Sequence, residues 1–350
     1  MKALMKVALD GDGVEIREFP APEPDPWRVV VDTAAVGVCG SDIHLWRNKH
    51  SWEVSLPVVM GHEIAGVVSH VGANVVGWHV GDRVVCETAS QVCGVCAYCR
   101  SGAYNLCPER LGYGAKNHGF FTEQVSVEPR ILHRIPDAVP FEAAAMCEPF
   151  AVAFNALVER ATVTPGDVVV VQGVGAIGVL CAQIAKLQGA STVVALHTDN
   201  DERRLAAARR LGVDLFVNIQ RDDPESVVRG IGDGNGAHIV VDATGVSAAF
   251  SDSMRLVRPL GSIVKVGWGP QPLEASLDPL VAKAVTVYGC FSHTWETWER
   301  VLDLMARGRL EVDAALGGLY PLDAWLTAFE DMESGRNVKS VIRFSPTDAS

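Results

Sequence analysis

Four cysteines lie close together in the first third of the chain and could together hold a metal ion. Cys93, Cys96, Cys99 and Cys107 have the spacing C-x2-C-x2-C-x7-C, and a proline follows directly. A ferredoxin-type iron–sulfur run ends in C-x3-C-P, so the last gap here is four residues too long. The spacing suits a tetrahedral zinc, and a disulfide pair or free thiols are the alternatives. Because such a closed site has no open position, we expect it to stabilise the fold.

Three short motifs supply further residues that could bind a metal or move a proton. They are Cys39, Ser41 and His44 in CGSDIH, His62 and Glu63 in GHE, and Glu148 in CEP. Each is weak alone, because a cysteine is often a small buried apolar residue and an acid near a helix start is favoured by the helix dipole. Together they offer a thiol, imidazoles and carboxylates, which are groups that can bind a metal ion.

A glycine pattern in the middle of the chain could cradle a phosphate group. VVVVQGVGAIG places Gly173, Gly175 and Gly178 in G-x-G-x-x-G spacing, with Ala176 and Ile177 between the last two glycines. The pattern follows a run of valines and opens a helical segment, which is the context that a dinucleotide site requires. The first glycine permits a tight turn, the second lets a pyrophosphate approach the backbone, and the third lets helix and strand pack closely.

The residues after the next predicted strand bear on which dinucleotide binds. An acid about twenty positions beyond the last glycine would bind the ribose hydroxyl of NAD. His197 stands near that place, and Asp199 is the nearest acid. Alternatively, His197 with Arg203 or Arg204 would accept the 2′-phosphate of NADP. We favour NAD.

Taken together, the motifs resemble the zinc-dependent medium-chain alcohol dehydrogenases over essentially the full chain. The resemblance rests on CGSDIH, GHEIAG, the cysteine cluster, the EP pair and the glycine pattern, in that order. It implies a structural zinc at the four cysteines and a catalytic zinc held by Cys39, His62 and an acid. Glu63 and Glu148 compete for the third place, and we expect an exchange in which either binds as substrate enters.

The resemblance also implies how the proton and the hydride of an alcohol would be handled. Zinc, as a Lewis acid, lowers the pKa of the alcohol. Ser41 is expected beside the substrate oxygen and passes the proton through the cofactor ribose to His44 at the surface. The hydride goes to the nicotinamide, whose site is expected near Thr244 and Gly245 in VDATG.

The expected substrate is a secondary alcohol on a polyol, a sugar alcohol or a sugar-derived acid. CGSDIHLW and CEPFAV resemble the sugar-alcohol enzymes of the family, whereas HTWETWERV resembles the L-threonine enzymes. Threonine enzymes commonly carry a histidine before the cysteine cluster, and here the stretch has Ala89, Ser90 and Gln91 instead. L-Threonine 3-dehydrogenase is therefore the alternative. Five side chains are expected to line the pocket, namely His50, Trp52, Phe120, His293 and Trp295.

Two rival classes share the expected fold. One is a non-catalytic cofactor-binding protein, and the other is a zinc-free reductase of the same superfamily. The first would be expected to lose a zinc ligand or Ser41, and neither loss is seen. The second lacks the set of Cys39, His62 and four cysteines that this chain carries. A zinc-dependent dehydrogenase is therefore the main prediction.

The elements that position these residues differ along the chain. Residues 1–149 contain short β-branched runs between glycines and prolines, and residues 150–288 alternate strands with helices. Residues 289–350 end in two amphipathic helices and a strand. With the resemblance, this predicts an α/β protein. Residues 1–149 and 289–350 would form a GroES-like, β-rich catalytic domain, and residues 150–288 a doubly wound, parallel-sheet Rossmann domain.

Charge and composition exclude some partners. The 350 residues carry a net charge of -12, which argues against nucleic acid because phosphate binding needs a basic face. No long apolar run precedes the first acids, so we expect no secretory signal, no membrane partner and a cytoplasmic location. The resemblance implies a homodimer or homotetramer. The stretch SIVKVGW, residues 262–268, could pair across a two-fold axis or form an edge strand capped within its own chain.

Overall fold

Two large β-sheets dominate the computed structural model, which describes residues 1–11 and 13–344. The strands are β1 Lys2–Lys6, β2 Val14–Glu18, β3 Val29–Gly37, β4 Val58–Val59, β5 Glu63–Val71, β6 Arg83–Cys86, β7 Ala89–Gln91, β8 Leu111–Gly112, β9 Gln124–Val127, β10 Leu132–Arg134, β11 Val168–Gln172, β12 Thr192–His197, β13 Leu215–Asn218, β14 Ala237–Asp242, β15 Val257–Lys265, β16 Thr286–Gly289, β17 Leu316–Pro321 and β18 Lys339–Arg343. The helices are α1 Gly40–Trp46, α2 Ala97–Arg100, α3 Phe141–Ala144, α4 Cys147–Phe154, α5 Ala176–Leu187, α6 Leu205–Arg210, α7 Pro224–Arg229, α8 Ser247–Leu256, α9 Asp278–Ala282, α10 Trp295–Ala306 and α11 Trp325–Glu333.

The first sheet has seven strands, drawn from both ends of the chain. Its order is β10-β6-β5-β3-β18-β17, and β9 also pairs with β3. β3 and β5 are antiparallel and rich in valine and alanine, and most of their side chains are buried. β18, the last strand of the described residues, pairs antiparallel with β3, the earliest strand of this sheet in the sequence.

The second sheet has six parallel strands in the order β13-β12-β11-β14-β15-β16. β11 reads VVVVQ and is buried at every position, as expected for a parallel strand covered on both faces. β12 and β14 lie on opposite sides of β11, so the winding of the chain reverses there. Sheets of this kind bind ligands at the carboxyl ends of the strands beside such a reversal. The predicted doubly wound parallel sheet is therefore confirmed.

An apolar helical segment, Phe141–Arg160, connects the two sheets. It comprises α3, α4 and a π-helical turn, Asn155–Arg160. By length and composition it is able to cross a membrane, but 72% of its most apolar window is buried inside the protein. Phe150 and Leu157 belong to the same core cluster as Trp298 of α10. Core packing accounts for the apolar character of this segment.

Of the two readings of the stretch 262–268, pairing across a two-fold axis is contradicted, because the strand is covered within its own chain. β15 contains the first residues of the stretch 262–268 and lies between β14 and β16, so both of its edges are already paired. β16 is the outermost strand on that side of the sheet. The division of the chain at residues 149/150 and 288/289 stays a prediction.

Candidate active site

Cys39, His62 and Glu63 meet at one end of the first sheet. β3 ends at Gly37 and β5 begins at Glu63, and these two residues face each other in the antiparallel ladder. The loop after β3 therefore lies beside the loop before β5. One potential ligand atom from each of the three residues lies within 4.8 Å of the other two.

Two glycines shape the space around this group. A Cβ on Gly37 would stand 2.0 Å from Oε2 of Glu63, so the missing side chain leaves room for the carboxylate. Gly61 has a φ of +88°, and a Cβ there would stand 2.8 Å from the ring of Phe121. The GHE motif thus needs its glycine both for backbone conformation and for space.

Only one of the two carboxylate oxygens of Glu63 has a partner among the described residues. Its Oε1 accepts a hydrogen bond from Nζ of Lys339 at 2.6 Å, and both side chains are almost fully buried. Burial opposes the charge of Lys339, yet the pKa of Lys339 is raised because Glu63 lies next to it. Oε2 is buried and has no hydrogen-bond partner among residues 1–11 and 13–344. An orphaned carboxylate oxygen beside a thiol and an imidazole fits a zinc ion.

Glu148 lies nearby but is bound differently. Its Oε1 lies 3.1 Å from Nε2 of His293, and Nδ1 of His293 accepts a hydrogen bond from the indole N–H of Trp298 at 2.6 Å. Because an indole can only donate, the neutral imidazole carries its proton on Nε2 and donates it to Glu148. Burial works against ionisation, but this hydrogen bond lowers the pKa of Glu148. Of the two glutamates, the described residues place Glu63 in the ligand group.

Asp42 is a site residue whose role the sequence did not reveal. One carboxylate oxygen accepts from the backbone N–H of Cys39 at 2.8 Å, and the other accepts from that of Gly61 at 3.3 Å. The second oxygen also lies 3.8 Å from Nδ1 of His62. Burial opposes charge on His62, but Cys39 and Asp42 raise the pKa of His62 well above its ordinary value. Asp42 thus joins the two ligand loops, and its position in CGSDIH was the available signal.

A cleft of about 460 Å³ brings this group together with residues of the second sheet. Cys39, His62 and Glu148 line one part of it, and Ser41 and His44 of α1 line another. The opposite wall is formed by residues that follow the strands of the second sheet or begin its first helix, among them Ile177, Ala243, Thr244, Val266 and Gly267. Most of the expected metal, relay and nicotinamide residues therefore share one cavity, while Glu63 and Gly245 lie outside its lining.

The expected pocket lining is correct for Trp52 and wrong for the other four residues. Trp52 lines the cleft. Phe120 is fully buried in the hydrophobic core against Tyr113. His293 is buried behind Glu148, and Trp295 is half exposed and packs on His133. His50 is also outside the described cleft lining and contacts the ring of Trp52.

The glycine pattern forms the turn between β11 and α5. Gly173 has a φ of +91°, which favours glycine. A Cβ on Gly178 would stand 1.9 Å from the carbonyl oxygen of Gly173, so the helix packs directly on the turn. A Cβ on Gly175 would meet no protein atom within 4 Å. That open space precedes Ala176, the first residue of α5, where unpaired N–H groups attract a pyrophosphate.

The nicotinamide end is organised by a buried acid. Oδ1 of Asp242 accepts from the backbone N–H and the hydroxyl of Thr244, and Oδ2 lies 2.6 Å from Nζ of Lys265. Gly245 has a φ of +73°, and a Cβ there would stand 2.0 Å from the carbonyl oxygen of Trp268. These contacts hold the VDATG turn at the wall of the cleft.

The predicted ribose end carries one acid, Asp199, which is already hydrogen-bonded within the protein. His197 is the last residue of β12, and its Nδ1 lies 3.0 Å from the carbonyl oxygen of Thr198. Asp199 accepts from the amide of Asn218 at 2.6 Å and pairs with Arg221 at 2.6 Å. These two hydrogen bonds lower the pKa of Asp199, so the carboxylate is ionised at neutral pH.

The expectation that Arg204 could bind a cofactor phosphate is wrong. Its Nε donates to the carbonyl oxygen of Asn337 at 3.0 Å, and Nη2 donates to that of Met332. Its Nη1 lies 3.4 Å from Asp201. The guanidinium is therefore used to fasten the segment before β18 and is not free for a ligand.

The four clustered cysteines form a compact lobe. Cys93 and Cys99 have sulfur atoms 3.9 Å apart, close to the spacing of about 3.8 Å that Zn–S bonds of about 2.3 Å give in a tetrahedron. Backbone N–H groups of Cys96 and Cys99 donate to neighbouring cysteine sulfurs, as they do around bound thiolates. The four sulfurs lie within 4.8 Å of one another and form no disulfide. The lobe fits a closed zinc site.

Comparison with family models agrees with this architecture. Residues 25–137 match the alcohol dehydrogenase GroES-like domain, and residues 176–307 match the zinc-binding dehydrogenase domain. With the site, these matches define an enzyme of the zinc-dependent dehydrogenase class, built from a GroES-like and a Rossmann domain. More narrowly, the chain belongs to the zinc-type medium-chain alcohol dehydrogenases of the polyol and threonine dehydrogenase branch, and it acts on secondary alcohols with a nicotinamide cofactor.

Several relatives and solved structures cover nearly the whole chain. D-arabitol-phosphate dehydrogenase of Enterococcus avium is 34% identical and covers 99% of both chains. Sorbitol dehydrogenase of Halalkalibacterium halodurans is 34% identical (98% of this chain, 99% of that one), and L-threonine 3-dehydrogenase of Pyrococcus horikoshii is 33% identical (97% and 98%). A zinc-binding dehydrogenase of Sinorhizobium meliloti bound to NADP superposes with a TM-score of 0.88 at 28% identity (98% and 99%). An alcohol dehydrogenase of Escherichia coli complexed with NADH gives 0.89 at 26% (98% and 99%).

Proposed function

We propose that this protein oxidises a secondary hydroxyl group of a polyol, a sugar alcohol or a sugar-derived acid, with NAD as the hydride acceptor. One observation carries the proposal: the Cys39, His62 and Glu63 group and the nicotinamide-end residue Thr244 line or adjoin one cleft. The reaction needs an activated hydroxyl and a nicotinamide in contact, and this cleft has room for both.

Within this proposal, Cys39, His62 and Glu63 would hold the catalytic zinc, with Glu148 as an exchanging ligand, and the four lobe cysteines would hold a second zinc. When bound, the catalytic ion supplies a Lewis acid that makes the substrate hydroxyl more acidic. Glu148 is held as a carboxylate by His293 at the cleft wall. Metal analysis should give about two zinc ions per chain, and a value near zero would instead favour a zinc-free reductase relative.

Ser41 and His44 would carry the proton away. Both lie on α1 and line the cleft, with His44 half exposed. Burial, with smaller effects of Lys49 and His50, lowers the pKa of His44. The ring is therefore neutral at pH 7 and able to accept a proton. Ser41 would contact the substrate oxygen, and the proton would reach His44 through the cofactor ribose.

The polyol assignment is tested by a substrate panel. Two of the relatives act, by name, on sorbitol and on D-arabitol phosphate, and a third acts on L-threonine. The stretch before the lobe lacks the histidine of the threonine enzymes, which supports a polyol. Steady-state kinetics with several polyols, sugar acids and L-threonine decides between them. Threonine giving by far the highest kcat/KM would overturn the assignment.

NAD is proposed over NADP because the described ribose end presents the ionised Asp199 and uses Arg204 elsewhere. Ribose hydroxyls could donate to that carboxylate, whose charge Arg221 partly balances. The ratio of kcat/KM for the two cofactors is the test, and a tenfold preference for NADP would contradict the proposal.

The proposed compartment is the cytoplasm, because the nine cysteines, all within the described chain, form no disulfide.

A homodimer or homotetramer is proposed as the assembly. β16 is an outer strand of the parallel sheet, and three of its four residues are exposed. The exposed hydrophobic residues between the start of β15 and the end of β16 include Leu260, Leu277, Val281 and Val287. An exposed edge with apolar side chains favours pairing with a second copy.

A further inference from the structure

Arg110 is a cation in the cleft that the proposed reaction does not use. It directly precedes β8 and lines the same cleft as Cys39 and Glu148. Its Nη2 donates to the hydroxyl of Thr88 at 2.9 Å, and its guanidinium carbon lies 5.2 Å from the centre of the Phe291 ring. These contacts fix the guanidinium while leaving most of its five N–H groups available.

Among the residues that the structure describes, no carboxylate pairs with this guanidinium. Its Nε–H is buried and finds no acceptor within the described part of the chain, where Arg110 also forms no ion pair. Burial lowers the pKa of Arg110, while Glu148 and Glu87 act in the opposite direction from a distance and Arg130 repels it. Both glutamates have closer hydrogen-bond donors of their own. A buried donor without an acceptor destabilises the free protein, unless a ligand supplies the acceptor.

We propose that Arg110 binds an anionic group of the substrate, a carboxylate or a phosphate, at a position on the substrate away from the hydroxyl that is oxidised. The inference rests on the proposed function, the oxidation of a polyol-derived alcohol. The planar fork of a guanidinium matches two oxygens of either anion, and these charge-assisted hydrogen bonds are strong in an enclosed site. A neutral polyol leaves the charge unmatched.

The other cation of the cleft is less suited to this task. Lys116 also lines it, but its Nζ already pairs with Glu53 at 2.7 Å, and Glu53 is almost fully exposed. Because this pair is exposed to solvent, water screens the charge of Lys116 and weakens its attraction for a substrate anion. The chain carries a net charge of -12, so the positive charge at this wall is local. Arg110 is therefore the group on which a preference for anions depends.

The test uses three substrates with the same carbon skeleton: a neutral pentitol, its terminal phosphate ester and the corresponding aldonate. The wild-type protein should show a kcat/KM at least about tenfold higher for one of the two anions than for the neutral pentitol. Arg110→Gln should lower kcat/KM for that anion about 10- to 100-fold, mainly through KM, and should change the value for the neutral pentitol less than about threefold. The two anionic arms distinguish phosphate from carboxylate.

Binding and stability are measured alongside activity. The dissociation constant of the preferred anion, titrated into the enzyme with NADH present, should rise in Arg110→Gln by the same factor as KM. Arg110→Lys keeps the charge without the fork and should lose less. Arg300→Gln is the matched control, because Arg300 is 58% exposed on α10 and pairs with Glu296. If Arg110→Gln does not fold, Arg110→Lys provides the comparison.

The outcomes separate the two proposals. If the neutral pentitol is the best substrate, or if Arg110→Gln weakens all three substrates equally, the role of Arg110 is overturned while polyol oxidation stands. If none of the three is oxidised but another class of alcohol is, the proposed function itself fails. A selective loss for the anion supports both.

Discussion

At the level of single residues, the two carboxylate oxygens of Glu63 have different surroundings, and this difference bears on metal binding. Lys339 donates a hydrogen bond to one of these oxygens, and the other has no hydrogen-bond partner in the described structure. A bound cation would complete this arrangement, because a buried carboxylate oxygen without a partner costs free energy. Zinc and Lys339 are therefore expected to share the charge of Glu63.

Replacing Lys339 with methionine tests that sharing. In metal-depleted protein, Lys339→Met leaves a buried, uncompensated carboxylate and should lower the free energy of unfolding by about 3–5 kcal/mol. In zinc-loaded protein the loss should be smaller. Urea unfolding with and without a chelator measures both, and the double variant Glu63→Gln/Lys339→Met is the control. An identical loss in the two metal states would rule out the sharing.

His44 gives a prediction about pH. Its pKa lies below the ordinary value of 6.5, mainly because of burial, so the ring loses its proton as the pH rises through that lower value. Alcohol oxidation limited by His44 should therefore rise with pH and level off below about pH 6.5.

His44→Gln should lower kcat at pH 7 about 10- to 100-fold, and added imidazole should partly restore it. Unchanged turnover at pH 7 would remove His44 from the relay.

At the level of elements, the turn from β11 to α5 contains glycines with two different roles, one in packing and one at the expected cofactor site. Gly178 lies against the carbonyl of Gly173 and serves packing, whereas Gly175 faces open space. Gly178→Ala should therefore lower the melting temperature. Gly175→Ala should keep it and instead raise the dissociation constant of NADH at least about tenfold, because the added methyl group would occupy the space of the pyrophosphate. Thermal melts and a fluorescence titration measure these effects, and wild-type NADH binding by Gly175→Ala would contradict this assignment.

The cysteine lobe is joined to the core by polar contacts. The hydroxyl of Tyr104 in the lobe donates to Glu87 at 2.8 Å, and Glu87 also lies 3.2 Å from Nε2 of the buried His133. His133 in turn stacks on Trp298 at 5.5 Å, and Trp298 donates to His293. The lobe is thus joined to the residues behind the cleft by hydrogen bonds and ring contacts, and it supplies no expected ligand of the first metal group.

Removing one lobe cysteine should consequently affect stability before activity. Cys96→Ser should reduce bound zinc from about two ions per chain to about one and lower the melting temperature, because metal binding and folding are coupled. Below the new melting temperature, kcat should stay within about threefold of the wild-type value. Metal analysis, calorimetry and kinetics on one preparation test this. A large loss of kcat in fully folded protein would assign the lobe a direct part in the reaction.

The sequence was most informative where function depends on local spacing. The glycine pattern, the cysteine cluster and the order of CGSDIH and GHE could be predicted because each is a short segment with its own geometry. Lys339 could not, because it contacts Glu63 across 276 residues of sequence. His293 was expected in the pocket but is buried behind Glu148, and Arg204 was expected at a phosphate but holds backbone carbonyls. Tertiary packing decided each of these.

At the level of the whole molecule, the exposed strand β16 predicts self-association. Val287 is 42% exposed on this strand. Val287→Lys should place a charge on the pairing edge and shift the protein to a smaller species, because edge lysines oppose strand pairing. Light scattering after size-exclusion chromatography measures the mass, and Val76→Lys, at an exposed valine of the first domain, is the control. An unchanged mass for Val287→Lys would place the interface elsewhere.

The late position of β18 has a consequence for biosynthesis. β18 pairs with β3, and it carries the Lys339 that neutralises Glu63. A growing polypeptide therefore presents Cys39, His62 and Glu63 to the cell long before the ribosome has made the counter-charge that completes their surroundings. Any product truncated before residue 339 would leave an edge of β3 open and Glu63 unneutralised. Translation has to proceed through β18 before the group of Cys39, His62 and Glu63 acquires this counter-charge.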